Sequence, residues 1–221
     1  MASRRKTATS LKRKVGIRNE RRTVVVFCEG EGSEPDYVSG VRNLPQVSEN
    51  STLSIELSEV HGVPYTLVTN AVALKKRDKE VDECWCLFDV EWPKHHPRLS
   101  DAMNRARAVP GVRVAVSNPC FEVWLLMHFR DVTAFLGTDE AERRSQAEDG
   151  RAGKRINVEH YMQKRGQAIK RARMLEARHE RDGSRRAAAV QQTGAADGDD
   201  VKHLWLDADR GWRRWCGALP L

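Results

Sequence analysis

Acidic residues stand at three places where apolar runs break into turns: Glu29 after "TVVVFC", Asp89 and Glu91 in "LFDVEWP", and Glu122 in "SNPCFEVWLLMHF". In an extended chain residues i and i+2 point the same way, so Asp89 and Glu91 are expected to share one face. Two carboxylates about 4 Å apart repel by roughly 4 kcal/mol at an effective dielectric near 20. A bound cation turns that repulsion into binding, and oxygen-only ligands suit Mg²⁺ or Mn²⁺. Glu29 is expected beside this pair, with Gly30 and Gly32 letting backbone approach a phosphate closely. Ser33 reads as an N-cap, with Pro35 in the first turn and Asp36 as its capping-box partner. Glu34 and Asp36 read as capping residues rather than ligands. The helix they begin would aim its N-terminus at the same phosphate.

These positions make sense only if strand ends gather them. "TVVVFC" (23–28), "LSIELSEV" (53–60), "ECWCLFD" (83–89) and "VRVAVS" (112–117) read as strands covered on both faces. Helical patterns lie between them at about 34–44, 65–79 and 98–108, the last closed by Pro110-Gly111, and a further helix begins at Pro119. Strand-helix alternation of this length implies parallel pairing through right-handed crossovers. The expected fold is an α/β three-layer domain over residues 23–136, whose functional crevice lies beyond the carboxyl ends of the strands. Residues 137–157 are polar and read as a loop. Residues 158–182 read as a basic helix and 184–200 as a linker. A last segment with Leu204, Leu206, Trp212 and Trp215 is expected to pack back on the core, so that 137–221 forms a helical extension.

Composition narrows the function classes. The 221 residues carry a formal net charge of +7, which favours a polyanionic partner. Residues 1–22 hold nine Lys/Arg against one acid and read as a flexible tail suited to phosphate contacts. No apolar run reaches the roughly 18 residues of a membrane span, and no secretory h-region follows the basic start. Five cysteines lack framework spacing, and four sit in apolar runs, as expected of core thiols in a reducing, cytoplasmic protein. "EGEGSE" lacks the Gly-Lys-Ser/Thr ending of a P-loop and the third glycine of a dinucleotide fingerprint. Cys84 and Cys86 alternate with Trp85 and Leu87 along a strand, so zinc binding with His95 and His96 is not expected.

Together, "CEGEGSEPDY", "LFDVEWP" and "SNPCFEVWLLMHF" resemble the motifs of the RloB family (AbiLii-like proteins), in order and with family-like spacing. The resemblance spans residues 24–130, and "YMQKRGQAIKRA" resembles the basic helix that follows in the family. It implies a Toprim-like fold, a divalent-metal site, and phosphodiester hydrolysis of DNA or RNA in phage defence or abortive infection. It also implies an AAA/ABC-type ATPase partner encoded nearby. By position, Glu29 matches the Toprim glutamate proposed as general acid/base, Asp89 the first metal aspartate, and Glu91 the second. Asp-x-Glu departs there from the commoner Asp-x-Asp, and the stretch after residue 195 departs from the Asn-Pro-rich segment of the family.

The remaining candidates have plainer roles. Asn118 is placed to anchor a turn. Phe121, Leu125 and Phe129 recur at helical spacing and read as core. His128 is a possible functional residue, although a histidine among apolar neighbours is more often a satisfied core group. Lys154, Arg155, Lys164, Arg165, Lys170 and Arg171 are candidates for guiding a nucleic-acid backbone, or form a solvated helix face. Two other readings stand beside the metal nuclease: a regulatory subunit with a vestigial carboxylate site, and a nucleic-acid binder without chemistry. Self-association into a homo-oligomer is compatible with each.

Overall fold

The computed structural model describes residues 21–50, 52–92, 94 and 96–193. Most of the basic tail, His95, the 194–200 stretch, and Leu204, Leu206, Trp212 and Trp215 lie outside the described residues. Among the described residues four strands, β1 (Arg22–Cys28), β2 (Leu53–Leu57), β3 (Glu83–Asp89) and β4 (Val112–Ser117), form one sheet in the order β2-β1-β3-β4. Every pairing is parallel, with Val24 opposite Ile55 on one side and Glu83 on the other, and Asp89 opposite Ser117. Between and after the strands run α1 (Ser33–Arg42), α2 (Pro45–Ser48), α3 (Pro64–Arg77), α4 (Leu99–Arg107), α5 (Glu122–Leu126), α6 (Thr138–Asp149) and α7 (Val158–Thr193). The arrangement is a three-layer α/β fold consistent with a Toprim-like domain.

Strand composition follows from burial on both faces. Val24, Val26 and Cys28 face a core that also contains Tyr37 and Val38 of α1, Trp124 of α5, and Tyr161 and Ile169 of α7. Val25 and Phe27 face the opposite core, built with Leu67 and Val68 of α3 and Ala102 and Met103 of α4. Alternation therefore sorts side chains between two apolar layers, and no polar stripe is left in the strand. Gly40 lets α1 and α7 meet, because a Cβ there would collide with Val158 Cγ1. Cys28, Cys84, Cys86 and Cys120 are free, buried thiols, and burial raises the pKa of each.

Several boundaries differ from the sequence-based expectation. Residues 138–149 form a helix instead of a loop, supported by Arg143 and Arg144 reaching back to Glu140 at 2.6–2.9 Å through their Nε atoms. The basic helix runs on to Thr193, through residues expected to be a linker. Strand β2 stops at Leu57, after which the Val60 amide donates to Ser58 Oγ at 3.1 Å and turns the chain. Helix α5 covers five residues and then tightens, the His128 and Phe129 amides donating to carbonyls three residues back.

Candidate functional site

Strands β1 and β3 are neighbours whose connections leave toward opposite faces, so a crevice opens beyond their carboxyl ends. Glu29 is the first residue past β1 and Asp89 the last of β3. Their proximity is fixed by a hydrogen bond in which the Asp89 amide donates to Glu29 Oε2 at 2.9 Å. The other oxygen of Glu29 lies 2.7 Å from His96 Nε2. That contact with Glu29 is the chief cause holding the His96 pKa above its ordinary value, against desolvation.

Asp89 is the carboxyl of the group held furthest above its ordinary pKa. Its Oδ1 is fully enclosed and, among the described residues, has no hydrogen-bond partner. Desolvation, then the charges of Glu34, Glu122 and Glu29, push its pKa well above the usual carboxylate range. Glu34, on the first turn of α1, is buried and is raised for the same reasons, desolvation first and the charges of Glu122 and Glu29 after it. Ser33 Oγ stands between the two helices' carboxylates, donating within 3.3 Å of Glu34 Oε2 and 3.4 Å of Glu122 Oε1. Ser33 is not the N-cap: Gly32 holds that position, and no described side chain caps α1. Asp36 instead accepts from the Ile156 amide at 3.2 Å and pairs with Arg155 at 2.9 Å.

Sequence reasoning missed Glu34 and Arg151. Glu34 looked like a capping residue because it follows Ser33 at a helix start. Its burial against Gly30, where an added Cβ would meet Glu34 Oε2 at 2.9 Å, places it in the crevice. Gly32 likewise admits the Lys154 backbone, so both glycines already have a structural reason. Arg151 lies in the loop between α6 and α7. It donates to Ser145 Oγ and Asp149 Oδ2 at 2.8 Å each and stands 3.9 Å from Glu122 Oε1. No motif in the sequence announces it.

Glu91 departs from the expected pairing with Asp89. The strand ends at Asp89, and Glu91 takes a left-handed backbone conformation with φ 57°, which breaks the two-residue alternation. Its side chain is 46% exposed and lies 4.0 Å from His96 Nε2. Asn118 is half-buried in the turn after β4, where the Glu91 amide donates to the Pro119 carbonyl at 2.8 Å. His128 is enclosed by aromatic rings of Tyr37, Trp124 and Tyr161. Its Nδ1 donates to the Trp124 carbonyl at 2.9 Å, which leaves Nε2 to accept from the Tyr37 hydroxyl at 3.1 Å. Desolvation lowers its pKa to about 4, so it is a neutral core group.

The six basic candidates divide. Lys154 and Arg155 lie at the mouth of the crevice, Lys154 against Gly32 and Arg155 donating to the Glu31 carbonyl at 3.3 Å. Lys164 sits over the Phe129 ring, Arg165 is buried, and Arg171 donates to the Met127 carbonyl at 2.8 Å. Lys170 is exposed.

The donor set suits a hard cation, since every candidate atom is a carboxylate oxygen and Asp89 Oδ1 lacks a partner. Asp89 with Glu34 and Glu122 would hold such an ion, with Glu29 and Glu91 at its edge. Among the described residues, no three His, Cys, Asp or Glu side chains already stand in an arrangement that holds a metal. Among the described residues no helix is long and apolar enough to cross a membrane. A family model described as RloB-like protein matches residues 24–195. No curated protein and no solved structure matches the chain.

Proposed function

The chain belongs to the RloB-like family, and on that premise we propose that it is a divalent-metal-dependent nuclease hydrolysing phosphodiesters of DNA or RNA. The observation that carries this reading is the enclosed, unpartnered Asp89 Oδ1 among the charges of Glu29, Glu34 and Glu122 at the switch point of the sheet. A buried carboxyl without a partner escapes the cost of its charge by taking up a proton, and a cation would displace that proton and hold the charged form. A bound Mg²⁺ or Mn²⁺ would supply Lewis-acid stabilisation of charge on the phosphoryl oxygens. Glu29, fixed by the Asp89 amide, takes the proton from the attacking water as the bond from phosphorus to the leaving oxygen breaks. Lys154 and Arg155 steer the backbone into the crevice, and the leaving oxygen takes its proton from solvent.

Family membership further supports a role in phage defence, in the cytoplasm, beside an AAA/ABC-type ATPase. The test is cleavage of DNA and of total RNA by the purified chain with Mn²⁺ or Mg²⁺. Glu29→Gln and Asp89→Asn should each abolish cleavage and leave the circular dichroism spectrum unchanged. Wild-type cleavage rates in the double variant refute the assignment. A second reading, a regulatory subunit with a vestigial site, is favoured by the left-handed backbone and half-exposed side chain of Glu91. Calorimetric titration decides between them, because a vestigial site takes up neither Mg²⁺ nor Mn²⁺.

A further inference from the structure

Strand β2 stops at Leu57, opposite Val26, while β1 runs on to Cys28. The Ser58 amide still donates to the Val26 carbonyl at 2.8 Å, and the next rung of a parallel ladder would bring the Val60 amide to the Cys28 carbonyl. The Val60 amide turns to Ser58 Oγ instead. Gly62 follows with φ 129°, a backbone conformation that glycine adopts freely and other residues resist. Between them His61, half-buried, sets its Nδ1 3.1 Å from the Cys28 carbonyl oxygen. A carbonyl only accepts, so Nδ1 carries the proton and the imidazole stands in for the missing strand amide. The carbonyl it serves belongs to the peptide that leads into Glu29. At the opposite edge of that same planar unit the Glu29 amide donates to the Leu87 carbonyl at 3.0 Å.

The peptide before Glu29 is thus pinned at both edges, by β3 on one side and by His61 on the other. The side chain is held in its turn, Oε2 by the Asp89 amide at 2.9 Å and Oε1 2.7 Å from His96 Nε2. A group that takes a proton from an attacking water has to be kept close to its productive position, and the residues that lock it matter as much as the group itself. We infer that His61 is a positioning residue of the site: by holding the Cys28 carbonyl it fixes the backbone from which the Glu29 carboxylate reaches the water. The inference rests on the nuclease reading for what Glu29 does, and adds to it a residue from the loop between β2 and α3.

The test compares the full chain with His61→Phe, which keeps a ring and removes the donor, and with His61→Asn, whose side-chain amide can donate where Nδ1 does. In EDTA and without nucleic acid, hydrogen exchange read by NMR follows three amides. Those of Glu29 and Asp89 report the pinned peptide and the carboxylate, and that of Cys84, which donates to the Gly111 carbonyl, reports the far end of the sheet. His61→Phe should speed exchange at Glu29 and Asp89 at least about tenfold while Cys84 stays within about twofold of wild type. With Mn²⁺ and an oligonucleotide, the same variant should lower kcat about tenfold to a hundredfold and leave KM within about twofold. His61→Asn should restore both readouts to within about threefold of wild type. Wild-type exchange at Glu29 and Asp89 in His61→Phe overturns the inference. So does acceleration of Cys84 in parallel with them, which a histidine that merely finishes the sheet edge would give. Recovery of both amides but not of kcat in His61→Asn overturns it too, since the imidazole would then act on substrate itself. Should His61→Phe fail to fold, His61→Ala carries the same comparison. Exchange needs neither metal nor substrate, so a wild type that cleaves nothing refutes the nuclease reading while the amides still decide the positioning.

Discussion

Glu34→Gln should stabilise the metal-free protein. Ser33 Oγ lies 3.3 Å from Glu34 Oε2 and 3.4 Å from Glu122 Oε1, so those two oxygens are at most about 6.7 Å apart. Two unit charges at that separation repel by about 2.5 kcal/mol at an effective dielectric near 20. Where one carboxylate has taken up a proton to escape the repulsion, the uptake at pH 8 carries a comparable cost. Glutamine keeps the shape and removes the charge. In a chain of this size 1 kcal/mol moves the melting temperature by roughly 2–4 °C, so a rise of about 5–10 °C is expected in EDTA at pH 8. The pH dependence has a definite sign. The folded-state pKa of Glu34 is raised, so the folded protein binds that proton before the unfolded chain does as pH falls. Wild type therefore gains on the variant from the folded value down to the ordinary carboxyl range, and the gap closes there. Adding Mn²⁺ should also close it, by stabilising wild type more than the variant. A variant that melts at or below the wild-type temperature in EDTA at pH 8, or a gap indifferent to pH, refutes the cluster electrostatics.

Asp89→Asn should raise the melting temperature in EDTA in the same way while abolishing cleavage, a pairing that a purely structural aspartate would not give. Tyr37→Phe removes the donor to His128 Nε2 inside the core and should destabilise by about 1–3 kcal/mol in urea titrations, with cleavage unaffected in the folded fraction. The imidazole protons of His128 should titrate by NMR near pH 4; a value near 6.5 contradicts its enclosure. Gly40→Ala forces a methyl against Val158 and should cost about 1–3 kcal/mol, read as a lower melting temperature.

The central sheet was legible because burial on both faces writes nearly continuous apolar runs, as in Val24–Cys28, and the crevice followed from strand order. Glu29 and Asp89 were legible for that reason: they are the first polar residues after such runs. The backbone of Glu91 was not, because nothing in "DVEWP" marks the left-handed turn that breaks its alternation with Asp89. Glu34 was hidden by local chemistry that also fits a helix cap, and only packing against Gly30 separates the two roles. Helix α6 buries little beyond Ala141 and Ser145, so it carries no apolar stripe for a periodicity argument to find. The stretch after Gly183 contains alanine, arginine and glutamine, all good helix formers, and the helix continues into it as far as Thr193 although its composition resembles a linker.

The long closing helix has a consequence for how the protein is made. Tyr161, Ala168, Ile169 and Ala172 seal the same apolar layer as Val24 and Tyr37, which are synthesised far earlier. A nascent chain that has delivered all four strands still presents an uncovered greasy flank until this helix emerges. Ribosome-bound fragments ending near residue 136 therefore lack the side chains that cover this layer.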